Sequence, residues 1–523
     1  MDDAPPLPGP RLSTAGRFVR NVAFSVAAQA WALVLALITI RIVVRGLGPD
    51  AYGVYVIASL VLGYVAFLDL GLTAALVRSI AIHRLHDPRR LEAIVGTGFA
   101  ALLVLGLLGG AALALLTPWV VSSLLHIPPA LRPDARFTFY LASLAFFLNM
   151  CLVVFAAIPQ GVQRLDLLSV RSLVLTTLSA LGQVTAIALG GGLRWVAIAS
   201  FSSNVASLAV FGWLAPRLLP GVSFRPRLEL DSLRELLGFG ARRFLSQAAS
   251  QAIFQFDRVI VVAFLPIRAV TSYSVPLSIT QRFIVFHGSL TNAYFPAASE
   301  LHGLGDVAAG RRLYLATLKL NGVIMLMLVA LVAGLAQPIL EAWLGPDFAH
   351  SSAAILVVLA FGYGLTTMVG ISAHLADASG HPGWTAAMIT ISAGLNVAVS
   401  LILVPRIGAI GAAWALLIQN AICGVSYWWL VQRRLLDLRM RTALTQLWRP
   451  ALAALLVGAS ARLIASHLHG IPTVLLVLLG GAALYLSLTL LFRVWDPRER
   501  QLALQTLRSL RASLSGAGRA ASV

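Results

Sequence analysis

Fourteen apolar runs, each about as long as a bilayer is thick, follow one another along this chain. Read as membrane-spanning helices of about 20 residues, they lie at approximately 19–44, 52–72, 92–116, 137–158, 169–189, 195–215, 241–264, 273–297, 313–336, 352–375, 384–404, 409–431, 447–467 and 472–492. Charged residues make up 11% of the chain, against roughly 25% in a soluble domain. That is too little charge to cover a water-facing surface. The fold class expected is an all-α integral membrane protein with about 14 transmembrane helices. The first sixteen residues are polar and Pro-rich, and the first apolar run is long enough to span, so no cleavable secretory signal is expected. The first run exceeds a perpendicular span and is expected to tilt or to begin on the membrane surface.

The formal charge is +19, from 39 basic and 20 acidic residues, and Lys319 is the only lysine. Such a balance would suggest nucleic acid in a soluble chain. Here the charge sorts by loop side instead, so no nucleic-acid partner is expected. With the N-terminus placed inside, the inner loops and tails carry 28 basic residues and the outer loops 9, with Arg78 and Arg282 left out as lying near segment ends. The skew supports cytoplasmic termini and an even number of spans. Cys151 and Cys423 both sit in apolar runs and read as small buried hydrophobes.

A repeat organises the chain. Shifting Gln29–Ala75 by 218 residues, without a gap, matches 11 of 47 positions, among them Gln29 with Gln247, Tyr55 with Tyr273, and Leu72-Thr73 with Leu290-Thr291. Weak internal symmetry in an apolar chain is typical of transporters built from two similar bundles. The turn Arg45–Tyr55, with Gly46, Gly48, Pro49 and Gly53, is expected to close the first helix pair as an external hairpin. The longest polar insert follows the sixth span. The expected divisions are therefore a tail at 1–16, an N-lobe of helices 1–6 at 17–216, an inter-lobe linker at 217–234, a C-lobe of helices 7–12 at 235–434, helices 13 and 14 at 435–493, and a basic tail at 494–523. In that tail Leu504, Leu507, Leu510 and Leu514 fit either a short amphipathic helix on an anionic leaflet or a solvated end.

Polar groups inside the spans are the candidate functional residues. Asn21, Ser25 and Gln29 recur every four residues in the first span. Arg243, Gln247, Gln251 and Gln255 do so in the seventh, with Arg258 completing the stripe. They read as the lining of a cavity between two bundles, or as amides holding helices together. Arg78, Arg243, Arg258 and Arg282 suit a diphosphate, which a guanidinium binds through its planar fork. The alternative is snorkelling to the interface, which Arg41, Arg242 and Arg268 fit better. Asn292 is a further cavity candidate. Asp69 and Asp257 are acids that could carry a coupling proton or sodium ion, although Asp257 beside Arg258 also reads as a local charge pair. His374 and Asp377 lie one turn apart but lack a third ligand, so no metal site is expected. No phosphate-binding loop, zinc-protease motif or nucleophile elbow occurs, and no other cofactor is expected.

Four stretches carry a resemblance. They are RGLGPDAYGVY (Arg45–Tyr55), FLDLGLTAALVRSIA in the second span, FDRVIVVAFL closing the seventh, and VPRIGAIGAAWA (Val404–Ala415). Together they resemble bacterial polysaccharide-type flippases of the multidrug/oligosaccharidyl-lipid/polysaccharide exporter superfamily, over roughly 17–434. The resemblance implies two six-helix bundles of the MATE type in a V, two further C-terminal helices, alternating access and no enzymatic activity. It implies a flippase moving an undecaprenyl-diphosphate-linked oligosaccharide from the inner to the outer leaflet of the bacterial inner membrane, in cell-surface polysaccharide synthesis. Partners would be that lipid-linked glycan, membrane lipids and other polysaccharide-assembly proteins. The drug-antiporter branch carries acids inside its bundles, whereas the first span here has none. The lipid II flippase branch has an arginine-rich first-helix pattern that is not evident here. Membrane glycosyltransferases carry acids in a large first external loop, and this one is short and holds only Asp50. The orientation can be checked directly: a single cysteine placed by Arg225→Cys should resist an impermeant reagent added outside the cell, and labelling there would overturn it.

Overall fold

A chain with so many apolar runs satisfies its peptide groups in lipid by becoming helical almost everywhere, and the computed structural model of the protein shows that outcome. It describes residues 13–63, 69, 71–84, 87–125, 127–162, 164–468 and 470–496, with side chains omitted for 13–30, 32–33, 61–63, 165–166, 169, 239 and 241–255. The basic tail therefore lies largely outside the described residues. The described residues divide by their contacts into two compact units, one ending at Ser274 and the other beginning at Val275.

The first unit begins with α1 (Ser13–Gly63), which is two helices joined at Gly48, where φ is 78° and ψ 164°. Only glycine adopts that geometry readily, and Pro49 then enters the next helix with its φ already set. A single residue thus makes the break for which the sequence suggested a longer turn. There follow α2 (Leu72–His83), α3 (Pro88–Trp119), α4 (Arg132–Gly161), α5 (Leu165–Ala188), α6 (Gly192–Leu218), α7 (Leu230–Phe264) and α8 (Ile267–Thr280), which reaches the division. Leu76 and Ile80 of α2, Ile94 and Leu102 of α3, and Phe146 and Met150 of α4 form a close-packed core that Leu236 of α7 joins.

The polar insert is held in place. Arg227 donates its backbone N–H to Gly96 O at 3.2 Å, and Glu229 donates its own to Thr97 Oγ1 at 3.2 Å. Arg90 pairs with Glu235 at 2.8 Å and Glu229 at 3.7 Å. These contacts, with α7 packed on α2 and α3, explain why the contact division falls at Ser274, beyond the insert.

The second unit holds α9 (Phe283–Gly303), α10 (Val307–Gly334), α11 (Ala336–Leu344), α12 (Pro346–Ala378), α13 (Pro382–Ile407), α14 (Ile410–Gln419), α15 (Val425–Leu436), α16 (Met440–Ile464) and α17 (Ile471–Leu491). A π-turn at Asn420–Gly424 joins α14 to α15. Val323 and Leu331 of α10, Ala453 and Val457 of α16, and Tyr485 of α17 share one core. The C-terminal helices are thus built into this unit through α10. Small residues make the closeness possible: a Cβ at Gly334 would stand 2.8 Å from Gly458 O.

Among the described residues ten helices are long and apolar enough to cross a membrane. Many of their large side chains point outward, such as Leu115 and Leu116 on α3 and Leu475, Leu476 and Leu479 on α17. Apolar surface of that extent requires lipid around it, so the protein is an all-helical, multi-pass membrane protein. The expected spans not among the ten are 19–44, 52–72, 241–264 and 273–297. The first three run through residues or side chains outside the described ones. The fourth is divided at Gln281–Arg282 between α8 and α9, where the Thr280 hydroxyl bonds the carbonyls of Pro276 and Leu277. The short α11 falls outside any run the sequence marked as a span.

Backbones meet most tightly where Gly71, at φ 76°, precedes α2 and touches Gly240 of α7, leaving no room for a Cβ. Gly71→Ala should therefore lower stability by about 1–3 kcal/mol from backbone conformation alone, with steric displacement added. Thermal unfolding in detergent would read this as a lower midpoint, and an unchanged midpoint would contradict the contact.

Candidate functional site

In a bundle that excludes water, a polar face has to turn toward other polar groups or a wet cavity. The clearest case lies inside the first unit, where α1, α5 and α6 border a cleft of about 440 Å³. Arg171, Leu175, Ser179 and Gln183 follow one another every fourth residue along α5, so one face of that helix lines it. Helix α6 contributes Ser203, Asn204 and Ser207, and α1 contributes Thr39, Tyr52 and Tyr55. A small hollow of about 40 Å³ adjoins it and shares Tyr55 and Asn204.

Hydrogen bonds fix much of this wall. Tyr55 Oη lies 2.9 Å from Ser200 Oγ. Asn149 of α4 donates to Asn204 Oδ1 at 3.0 Å, and Gln183 donates to Ser179 Oγ at 3.1 Å. Trp31 of α1 donates to Thr177 of α5 at 3.0 Å. The exception is the cation. Arg171 is half-buried and its guanidinium lies over the Phe211 ring, 5.1 Å from the centroid, while its buried Nε has no hydrogen-bond partner. A donor left in this state accepts an anionic or oxygen-rich ligand at little further desolvation. No carboxylate is among the described residues that line the cleft. It is suited to phosphate oxygens and sugar hydroxyls, with two tyrosine rings as apolar walls.

The sequence-derived candidates are placed as follows. The side chains of Asn21, Ser25, Gln29, Arg243, Gln247, Gln251 and Gln255 lie outside the described ones. Arg78 is exposed on α2. Arg258, on α7, is partly buried and its Nε has no hydrogen-bond partner. It stands within electrostatic reach of Tyr52 in the cleft wall. Arg282 is partly buried at the α8–α9 break and Asn292 is exposed on α9, both in the second unit. Asp257 is buried and accepts the Tyr273 hydroxyl at 3.0 Å. Asp69 is buried and caps α2: one carboxylate oxygen accepts Gly71 N–H at 2.9 Å and the other accepts the Thr73 hydroxyl. No group of three or more His, Cys, Asp and Glu stands close enough to hold a metal among the described residues.

Arg171 is the residue that sequence reasoning missed. It is the third residue of its expected span and was therefore counted with the loop charges. The signal that would have found it is the helical register that puts Arg171, Ser179 and Gln183 on one face, at i, i+8 and i+12.

Comparison with known proteins now defines the class. The fold is that of the MOP-superfamily membrane transporters. The structure aligns with the lipid II flippase MurJ in an inward closed conformation at a TM-score of 0.72 and 13% identity, covering 90% of this chain and 99% of that one. It aligns with an inward-facing multidrug MATE transporter at 0.63 and 17%, covering 77% and 94%. At such identities the likeness speaks for the fold alone. In sequence, the chain is 24% identical to the "Putative O-antigen transporter" of Shigella flexneri, over 79% of this chain and 98% of that protein. It is also 24% identical to membrane protein EpsK of Bacillus subtilis, over 78% and 82%. Residues 18–302 match the family described as polysaccharide biosynthesis protein, and the chain belongs to that family. The proteins that share this fold, MurJ and the MATE transporter, are a flippase and a transporter.

Asp69 offers a test of geometry against role. Asp69→Ala removes both capping contacts and should lower stability by about 0.5–2 kcal/mol, while Asp69→Asn keeps a capping oxygen and should lose less than half of that in the same detergent melt. Equal losses would show that the charge matters and the cap does not.

Proposed function

We propose that the protein flips lipid-linked oligosaccharides, carrying an undecaprenyl-diphosphate-linked glycan from the inner to the outer leaflet of a bacterial inner membrane, with both termini in the cytoplasm. The observation that carries this reading is the cleft around Arg171: hydroxyls, amides and one under-used guanidinium inside a membrane bundle, with no acid in the described lining. Membership of a polysaccharide biosynthesis family supports it. The headgroup enters a polar path through the protein, and the prenyl chain stays in lipid, where its transfer requires no protein contact. Arg171 binds phosphate oxygens, Tyr52 and Tyr55 flank sugar rings, and Gln183 and Asn204 bond hydroxyls. Alternating access exposes the path to each side in turn, and Arg243 and Arg258 of the first unit extend the diphosphate route. Asp69 and Asp257 are candidates for a coupling ion. A drug/cation antiporter of the same fold is disfavoured, because a cationic ligand would meet Arg171 and no described carboxylate in the cleft.

The test is leaflet-to-leaflet movement of the lipid-linked oligosaccharide in vesicles holding equal amounts of each variant. Removing one charge-assisted contact should weaken substrate binding by about 1.5–3 kcal/mol, which is about ten- to a hundredfold. Arg171→Ala should raise the half-saturating substrate concentration by that factor, and Arg171→Lys should recover only part, since an ammonium lacks the bidentate fork. Full recovery by lysine would identify Arg171 as a point charge at the interface. Transport by Arg171→Ala equal to wild type would remove the cleft from the path. Failure of the wild-type protein to move the substrate would overturn the function.

A further inference from the structure

We propose that His287 and His374 form a proton-binding site inside the second unit, and that its loading and unloading drives the transport cycle; the coupling rests on the flippase reading above, whereas the proton site does not. Ionisable groups inside a membrane bundle are disfavoured unless they are paired or used, and histidine is the side chain whose charge changes near neutral pH.

His287 is buried on α9, which packs on α10 and α12. Its Nδ1 lies 3.2 Å from Asn321 Oδ1 on α10. The Asn321 amide group is turned the other way, donating to Thr367 O at 3.3 Å and toward Met368 Sδ at 3.8 Å. The oxygen facing His287 is therefore an acceptor, and Nδ1 carries the hydrogen of the neutral ring. Nε2 is left with the lone pair. It lies over Gly370 of α12, where a Cβ would stand only 2.5 Å away. One turn further along α12 is His374, with its ring centroid 5.9 Å from that of His287. Only a glycine at 370 lets the proton-accepting edge of His287 pack this close to α12 and come beside His374.

The surroundings limit the pair to one proton at a time. The titratable or charged groups on the helix of His287 are Tyr294, Glu300 and His302. On α10 they are Arg311, Arg312, Tyr314 and Lys319, and on α12 they are Asp347, His350, Tyr363, His374 and Asp377. Tyr314 is engaged with Ser372 at 2.9 Å and Trp428 at 2.8 Å, and Lys319 with Asp496 at 3.6 Å. The ionisable ring that faces His287 is His374, and Asp377 lies one turn beyond His374 on α12. Two imidazolium rings at this separation repel, so protons bind in sequence. Asp377 Oδ1 accepts the Thr385 hydroxyl at 2.7 Å, and Thr385 meets Tyr427 Oη at 2.8 Å. Together these groups run from α9 through α12 and α13 to α15. The step is simple in balance: a proton from water binds Nε2 of His287, giving an imidazolium, and leaves as a proton to water after the bundle has changed its exposure. No covalent bond between heavy atoms is made or broken.

Two readouts test this, both on the full-length protein. In the first, protein with isotope-labelled histidine is titrated in detergent by NMR without substrate. Both rings should titrate, and His374→Gln should move the His287 titration, because the two interact. Rings that stay neutral throughout the range in which the other histidines titrate, or a His287 signal indifferent to His374→Gln, would overturn the site. In the second, flipping of undecaprenyl-diphosphate-linked oligosaccharide is followed in phosphatidylethanolamine/phosphatidylglycerol vesicles with and without a pH difference. One proton per cycle lets a one-unit gradient shift the steady-state leaflet ratio by up to about tenfold. Wild type and His302→Gln should show that shift, and His287→Gln and His374→Gln should lose it. A shift retained in both of those variants, or absent in a wild type that flips, would refute the coupling. If the wild type flips nothing, the flippase reading falls and the NMR titration decides the proton site by itself.

Discussion

Lipid offers no hydrogen bonds, so each peptide group in a span has to be satisfied within its own helix. Among the described residues, the departures from helix at Gly48, Gly71 and Gln281–Arg282 are local for that reason. At Gly48 a single residue leaves the helical region and Pro49, which has no N–H to satisfy, follows it. At Gly71 the carboxylate of Asp69 takes over the donors that a missing turn would have served. At Gln281–Arg282 the backbone is bridged by short bonds from Gln281 to Leu277 and from Arg282 to Ile279.

Much of this architecture is legible in the sequence because its dominant constraint, apolar helix in lipid, is read by length and composition. The ten helices that qualify as spans coincide with ten of the fourteen marked runs. What sequence did not disclose depends on close contact. The short α11 is too brief to register as a span. The docking of residues 222–229 on α3 depends on Gly96 and Thr97, which look ordinary in a helix. At the site, the periodic polar rows were the right kind of signal, but the rows that stood out were in the first and seventh spans and not on α5. Proximity of Arg171 to the end of its run made it resemble a flanking charge. Its burial became visible only once α6 supplied Phe211.

The cleft and the histidine pair also show how differently polarity is managed in the two units. Around Arg171 the pairs Tyr55–Ser200, Asn149–Asn204 and Gln183–Ser179 satisfy one another, while the buried Nε of the cation has no partner. Around His287 the order is reversed: Asn321 fixes one edge of the ring and the other lies against the backbone of a glycine. The first arrangement suits a ligand with many oxygens. The second suits something no larger than a proton.

Helix α10 presents Gly322 and Gly334 to residues that leave the ribosome more than a hundred positions later. Gly322 lies against Leu447 and Gly334 against Gly458, while Gly481 of α17 lies against Leu331. The buried Lys319, the chain's single lysine, lies 3.6 Å from Asp496, which follows α17. During synthesis, therefore, α10 presents small-residue positions whose partners on α16 and α17 are made only later. The second unit closes from its C-terminal end, and a chain stalled or cut before residue 440 would display those positions to the quality-control machinery of the cell.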